Sequence, residues 1–318
     1  LQGIFDFGRE HIVDFSEESF KLFNDNCQSL EIPWRWNNAG RIALGQDLLS
    51  IRSKLLYTNT LDLHDYHEIK VVIAPENDYA ISRSLYKNEI YNALRDNSVL
   101  LIHPTSESVE PRKKFIQQFP QLKMIESIDD NIFYSSCISF DKLNGCSLIE
   151  SIVNLMRTIG SKTKINVWFK NTGQLKSKRL VADQLIRSSL ETIITDLKEK
   201  KSYTKIASLI EAIENIPDMK VYRKDFLHDI CNALRDADRL GVSAAESIER
   251  NRNILRRKGR KTQGKVIGTT LLTKGLEFDT VVVLNAHRFN DKRHLYVALT
   301  RCCKQLIVIS NNHILNLN

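Results

Sequence analysis

The chain has 318 residues, 42% hydrophobic and 26% charged, which suits about two soluble domains. It lacks any run of roughly 18 apolar residues, which excludes a membrane-spanning helix. Net charge is +8, which is compatible with nucleic-acid binding without requiring it.

The opening segment, LQGIFDFGREHIVDF, has early acids and no apolar stretch, so it does not read as a signal peptide. It starts without Met in what reads as the middle of an element, so a longer parent protein is expected. EIKVVIAP, around Val71 to Pro75, reads as a strand with a Pro stop. SRSLYKNEIYNALRD reads as a helix with Leu85, Ile90 and Leu94 on one side, and SVLLIHP as a second strand. Continuously apolar strands separated by helices predict a parallel sheet covered on both faces.

From about Leu148 to Leu255 the apolar spacing turns helical. Leu180, Leu185, Leu190, Ile193 and Leu197 trace one face. Ile206, Leu209, Ile210, Ile213 and Ile216 trace a second, and Phe226, Leu227, Ile230 and Leu234 a third. Ser243 with Glu246 reads as a capping box, and INVWF at Ile165 as the one strand of this region. After Lys265 the β pattern returns in KVIGTTLL, DTVVVLN and KQLIVIS, with the helical LYVALTRCC before the last. The expected architecture is one α/β domain, residues 1–140 and 263–318, interrupted by a mainly helical domain, 141–262.

The six cysteines, Cys27, Cys137, Cys146, Cys231, Cys302 and Cys303, form no CxxC and read as reduced thiols of a cytoplasmic protein. The eight histidines show no metal-ligand spacing, so no metal site is expected from this chain. Between Arg250 and Lys265 stand eight basic residues and no acid, among them Arg256, Arg257 and Lys258. A run like this is either a solvated face or a phosphate-tracking strip. In Lys274-Gly275-Leu276-Glu277-Phe278 a Gly lies between Lys and acid at what reads as a strand exit, where α/β sheets bind ligands. Arg301, at the end of YVALTR, offers a planar cationic fork suited to phosphate or to a salt bridge.

Taken together, T-x-x-x-x-K-G-L-E-F, an apolar strand and Y-V-A-L-T-R resemble motifs V and VI of UvrD/Rep-type superfamily 1 DNA helicases. Gln2-Gly-Ile-Phe-Asp-Phe7 resembles the end of motif III, and Leu30-Glu-Ile-Pro-Trp-Arg35 resembles motif IV. The resemblance covers both α/β ends; in the middle only position and helical character match the family's 2B insertion. It implies a RecA-like 2A domain, P-loop NTPase-like but lacking the P-loop, and an ATP site with Mg²⁺ shared with an N-terminal helicase domain that supplies the P-loop and the metal ligands. Gly160-Ser-Lys-Thr163 lacks the spacing of a P-loop. By resemblance, Arg301 and Arg35 would act as arginine fingers, and Gln2 would link the γ-phosphate to the DNA site. Lys274, Gly275, Glu277 and Tyr296 would lie toward the nucleotide. Phe7 would stack on a base, with core packing as its alternative, and Thr269 and Thr270 would face the DNA backbone. Arg256, Arg257 and Lys258 would track phosphates.

The sequence departs from the family at Leu271, where His is usual, at Gly8 after the aromatic, and at Pro33 and Trp36. The implied activity is ATP-driven 3′-5′ movement on single-stranded or junction DNA. Two alternatives stand beside it. One is a nucleotide- or DNA-sensing subunit partnering a TOPRIM nuclease, as in Gabija-type antiphage systems. The other is a non-enzymatic DNA-docking scaffold.

Overall fold

The structure is a computed structural model; it describes residues 32–105, 108–126, 131–258 and 262–317, except the side chains of 131–134 and 255–258. The chain divides into two compact units, with breaks after Ile125 and before Thr262.

The first unit is built on β2 (Ile69–Ile73), β3 (Val99–Ile102), β4 (Lys123–Met124), β5 (Lys265–Gly268), β6 (Phe278–Val283) and β7 (Cys302–Ser310). These six strands pair in the order β2-β7-β6-β3-β5-β4, every pairing parallel. A small antiparallel pair, β1 (Thr60–Asp62) with β8 (Ile314–Asn316), stands apart. The order reflects composition. β3, VLLI, is buried at every position and is flanked by β6 and β5, as the continuous apolar runs require.

Successive side chains serve opposite faces of the sheet. Leu100, Ile102, Val281, Val283, Leu306 and Val308 belong to one core with Leu44, Leu48, Ile51 and Leu55 of α2 (Ile42–Tyr57). Leu295, Ala298 and Leu299 of α13 (Lys292–Leu299) complete that core. The alternate residues Val99, Leu101, Val282 and Ile307 are equally buried. Helices α3 (Leu85–Ala93) and α4 (Glu110–Gln118) bury Tyr86, Ile90, Phe115 and Ile116; Tyr79 stacks on Phe115 with centroids 4.0 Å apart. This is an α/β fold with an all-parallel sheet and a helical region between its strands, consistent with a RecA-like domain carrying a helical insert. The expected α3 face is shifted: Leu85 is 55% exposed, and Tyr86 and Ala93 pack with Ile90 instead.

The second unit holds α5 (Asn131–Lys142), α6 (Gly145–Ile159), α7 (Lys162–Trp168), α8 (Val181–Glu199), α9 (Tyr203–Glu214), α10 (Lys224–Leu240) and α11 (Ala244–Lys258) around one core. It begins earlier than the expected boundary after residue 140. Cys137 and Phe140 of α5 lie in the helical core. Asp141 accepts from Ala244 N at 2.9 Å and Ala245 N at 3.2 Å, capping α11, and from Tyr203 Oη at 2.8 Å. Helix α5 is thereby tied to the helical unit by its last turn. The α9 and α10 faces are buried as expected, and Gly241, at φ 67, closes α10 in the left-handed region. Ser243 Oγ accepts from Glu246 N at 3.1 Å, while the Glu246 carboxylate turns to Arg250 at 2.7 Å and leaves the reciprocal half of the box unmade.

Two expectations fail in this unit. INVWF is not a strand: Ile165 to Trp168 lie in α7, with Ile165 and Trp168 buried one turn apart, and the buried Phe169 is its extended C-cap, bridged to Leu175. In α8 the buried residues are Leu190, Ile194 and Leu197, while Leu180 and Leu185 are 69% and 70% exposed.

Candidate functional site

The segment after β5 sets the site. Thr270–Thr273 forms a single helical turn, α12. Leu276 N then donates to Thr273 O at 3.0 Å, with Lys274 at φ −58, ψ 127 and Gly275 at φ +86. These are the angles of a type II turn, whose third position requires positive φ. A Cβ on Gly275 would meet nothing within 4 Å, so the demand for glycine is conformational and not steric. The turn delivers Glu277 to the start of β6. The Lys274–Glu277 segment therefore enters a strand; it does not leave one, and its acid stands at the amino edge of the sheet. The sequence reading placed it at a strand exit because β5 ends only a turn earlier.

Arg301 precedes β7 at the same edge, and its carbonyl accepts from Phe278 N at 3.0 Å. Helix α1 (Trp34–Asn38) brings Arg35 to them. Arg35 Nη2 lies 2.6 Å from Glu277 Oε1, and Nη1 donates to Thr300 O. The Arg35 guanidinium also lies 5.3 Å from the Trp36 ring centroid. The segments resembling motifs IV, V and VI thus meet in one cluster.

The two arginines differ in their surroundings. Arg35 and Glu277 keep 24% and 50% of their side-chain surface exposed. Arg301 is 3% exposed. Its Nε donates to Val297 O at 2.9 Å, Nη1 to Leu276 O at 3.3 Å and Nη2 to Thr300 Oγ1 at 3.2 Å. Burial lowers its pKa, as does Arg35 beside it, and Glu277 opposes the shift. Tyr296 is buried in the core; burial raises its pKa, while Arg52, Arg301 and Arg35 pull it back. Arg52, on α2, is a member of this field that sequence reasoning missed; it forms no hydrogen bond or ion pair with the described residues. Two guanidinium groups, those of Arg35 and Arg301, thus act on one carboxylate, Glu277, and Arg52 adds a third positive charge near Tyr296. The excess positive charge suits an anion with several oxygens.

The other expected site residues fall as follows. Thr269 and Thr270 follow β5 at the carboxyl edge, each 3% exposed, and Thr270 Oγ1 lies 2.7 Å from His294 Nδ1. Their side chains are largely enclosed, whereas Leu271, which departs from the family pattern, is 36% exposed. Lys274 is half-buried beside the turn. Gln2 and Phe7 lie outside the described residues. Arg256, Arg257 and Lys258 close α11, and their side chains lie outside those described. Gly160 of the false P-loop forms an antiparallel bridge with Val221 in the helical unit, a setting unlike a strand-to-helix phosphate loop.

A second polar grouping, unforeseen in the sequence, lines the carboxyl edge. Glu76 follows β2 and meets Arg288 Nη1 at 2.9 Å and His287 Nε2 at 3.8 Å. Asn285, after β6 at φ 48, accepts from Tyr86 Oη at 3.0 Å. His103, after β3, is 3% exposed; its Nδ1 accepts from Thr105 N at 3.1 Å, and its ring meets Phe115 edge-on at 6.0 Å. Burial, with Arg112 and Arg288 nearby, lowers the His103 pKa from 6.5 to about 4. The folded chain holds this imidazole neutral while the unfolded chain protonates it first. Stability is therefore expected to fall as pH drops from about 6.5 to about 4, by about 1–3 kcal/mol, and to level off below that. Urea titrations across this range compare wild type with His103→Gln. An equal acid loss in both would assign it to other groups.

Among the described residues no cluster of three or more His, Cys, Asp or Glu side chains could hold a metal, and no helix is long and apolar enough to cross a membrane. The cysteines among them are all free, including the adjacent Cys302 and Cys303. No protein-family model matches the chain, and no curated protein does.

Proposed function

We propose that the chain is the 2A and 2B portion of a UvrD/Rep-type, ATP-dependent DNA translocase, supplying one wall of an ATP site whose P-loop and Mg²⁺ ligands belong to a partner domain. The observation that carries this reading is the Arg35–Glu277–Thr300–Arg301 cluster. Residues up to 265 positions apart in sequence converge at one sheet edge with positive charge in excess of negative. The donor set fits a triphosphate. Arg35 Nε, buried, has no acceptor among the described residues, so this guanidinium is not saturated by its own fold.

In this reading Arg35 contacts the γ-phosphate directly, displacing part of its Glu277 bond. Arg301 acts from behind, as a fixed charge and as the anchor of Thr300 and Leu276. It is a positioning residue: a direct contact would require it to abandon three hydrogen bonds. Cleft closure on ATP would then shift the grip on single-stranded DNA, a ligand-driven hinge.

The purified chain is expected to hydrolyse no ATP above background, and a DNA-stimulated turnover is expected only when a P-loop domain is joined to it. Turnover by the chain alone at about 1 per second, a rate at the low end for kinases, would overturn the half-site reading.

A further inference from the structure

The helical unit carries a surface that the nucleotide site does not use. From Ser151 to Ala182 the chain holds seven basic residues, Arg157, Lys162, Lys164, Lys170, Lys176, Lys178 and Arg179, and no Asp or Glu. The structure folds this stretch into the end of α6, α7 and a tight hairpin that leads into α8, in which Lys170 N donates to Gln174 O at 2.8 Å and Lys176 N to Trp168 O at 2.8 Å. Gly173, at φ +75, sits at the hairpin tip; a Cβ there would lie 2.9 Å from the Glu150 backbone, so glycine lets the tip lie flat on α6.

The cations are held in place by neutral oxygens. Lys176 Nζ donates to Asn166 O at 2.7 Å. Lys178 Nζ donates to Val167 O at 3.0 Å and lies 4.0 Å from the Trp168 ring centroid. Arg157 donates to Asn166 Oδ1 at 2.9 Å, Asn154 Oδ1 at 2.8 Å and Lys170 O at 2.9 Å. Of the seven, only Lys164 pairs with a carboxylate among the described residues, Asp218 at 3.0 Å. Glu150 acts on Arg157 through space alone. The charges are positioned without being neutralised.

Beside them stand exposed apolar side chains: Val167 at 54%, Leu180 at 69%, Val181 at 74% and Leu185 at 70%. They adjoin the cations directly, since Lys178 bonds the Val167 carbonyl and Gln184 Nε2 bonds the carbonyls of Lys178 and Arg179 at 3.3 and 3.4 Å. Val181 and Leu185 are four residues apart on α8, hence on one face. Phosphates would neutralise the lysines and leave this apolar row in water. A surface that joins both needs a partner that joins acid with apolar residues.

We propose that this surface of the helical unit docks an acidic amphipathic helix of a partner protein, whose carboxylates meet Lys170, Lys176, Lys178 and Arg179 and whose apolar stripe covers Val167, Leu180, Val181 and Leu185. Helix-on-helix docking of this kind reads anchors at one-turn spacing, which Val181 and Leu185 provide.

The test measures fluorescence anisotropy of a labelled helical peptide with Leu at heptad core positions and Glu elsewhere, against the full chain. The peptide is expected to bind, and Lys170→Glu/Arg179→Glu and Val181→Ser/Leu185→Ser are each expected to weaken it about tenfold or more. All four side chains are exposed, so the helical core is untouched, and unchanged far-ultraviolet circular dichroism would verify this. Absence of binding, or binding indifferent to Val181→Ser/Leu185→Ser, overturns the proposal. A random-sequence DNA duplex that outcompetes the peptide assigns the surface to nucleic acid instead. Concentration-dependent dimerisation abolished by Val181→Ser/Leu185→Ser assigns it to a second copy of the chain. The outcome is independent of ATP turnover.

Discussion

In the ATP site proposed above, with a P-loop domain joined to the chain, replacing Arg35 by Ala is expected to lower the kcat for DNA-stimulated ATP hydrolysis by about 10³-fold, the lower end for loss of an arginine finger. KM for ATP should change far less, because the γ-phosphate gathers its extra charge only in the transition state. The expectation rests on the contrast between the two arginines. Arg35 is partly exposed, bound to a carboxylate that is itself half-exposed, and has an unsatisfied Nε. Its bond to Glu277 is therefore worth about 1 kcal/mol or less to stability, and Arg35→Ala should unfold at nearly the wild-type denaturant midpoint. Arg35→Lys should recover little activity, since an ammonium cannot hold Thr300 O, Glu277 and a phosphate through one planar fork. A kcat for Arg35→Ala within about threefold of wild type would remove Arg35 from the ATP site, whatever becomes of the helicase resemblance.

The sequence made the sheet legible because β3 is an unbroken apolar run and β6 and β7 each carry one, VVV and LIVI, and the helical unit legible because α9 and α10 repeat their apolar residues at helical spacing. Where the reading failed, a local window was too short or a partner too distant. INVWF holds a β-favouring composition in five residues, but its first four close a helix that begins at Lys162, and only Phe169 is extended. The boundary at residue 140 was misplaced because the residue that ties α5 to the helical unit, Asp141, caps a helix that begins over a hundred positions later. The strand-exit reading of Lys274–Glu277 failed because one helical turn and one type II turn suffice to carry the chain from the carboxyl edge of β5 to the amino edge of β6. The site itself was half legible. The helicase resemblance singled out Arg35, Glu277 and Arg301, which the fold brings together, but Arg52 carries no motif and enters only because α2 passes beside Tyr296. The carboxyl-edge group of Glu76, His103, His287 and Arg288 comes from three strand ends with no shared sequence pattern.

Arg301→Met is expected to destabilise the chain by roughly 3–5 kcal/mol, measured by urea unfolding, and this would exceed the effect of Arg35→Ala several-fold. Methionine nearly matches the length of the arginine stem but removes every donor. Leu276 O, Val297 O and Thr300 Oγ1 each lose a charged partner, and only Val297 O keeps another donor among the described residues, the Thr300 hydroxyl at 3.3 Å. Losing a charged donor costs about 1–3 kcal/mol at a buried acceptor, and the three losses are not independent because one guanidinium serves all of them. Leu276 belongs to the Gly275 turn and Thr300 closes α13, so Arg301 fastens two of the segments that frame the cluster. Its loss should therefore loosen Glu277 and Arg35 together. For this reason low activity in Arg301→Met would not by itself identify a finger. The informative pair is Arg301→Met against Arg301→Lys. Lysine restores the charge and one or two of the three bonds, so it should recover part of the stability; a chain as stable with Met as with Arg would show that the hydrogen bonds of Arg301 contribute nothing net. If Arg301→Lys folds well and turns over ATP more slowly than its stability loss explains, the guanidinium is needed at the phosphate itself. If turnover follows folding across both variants, Arg301 acts through the positions of Thr300 and Leu276, and the phosphate contact rests with Arg35.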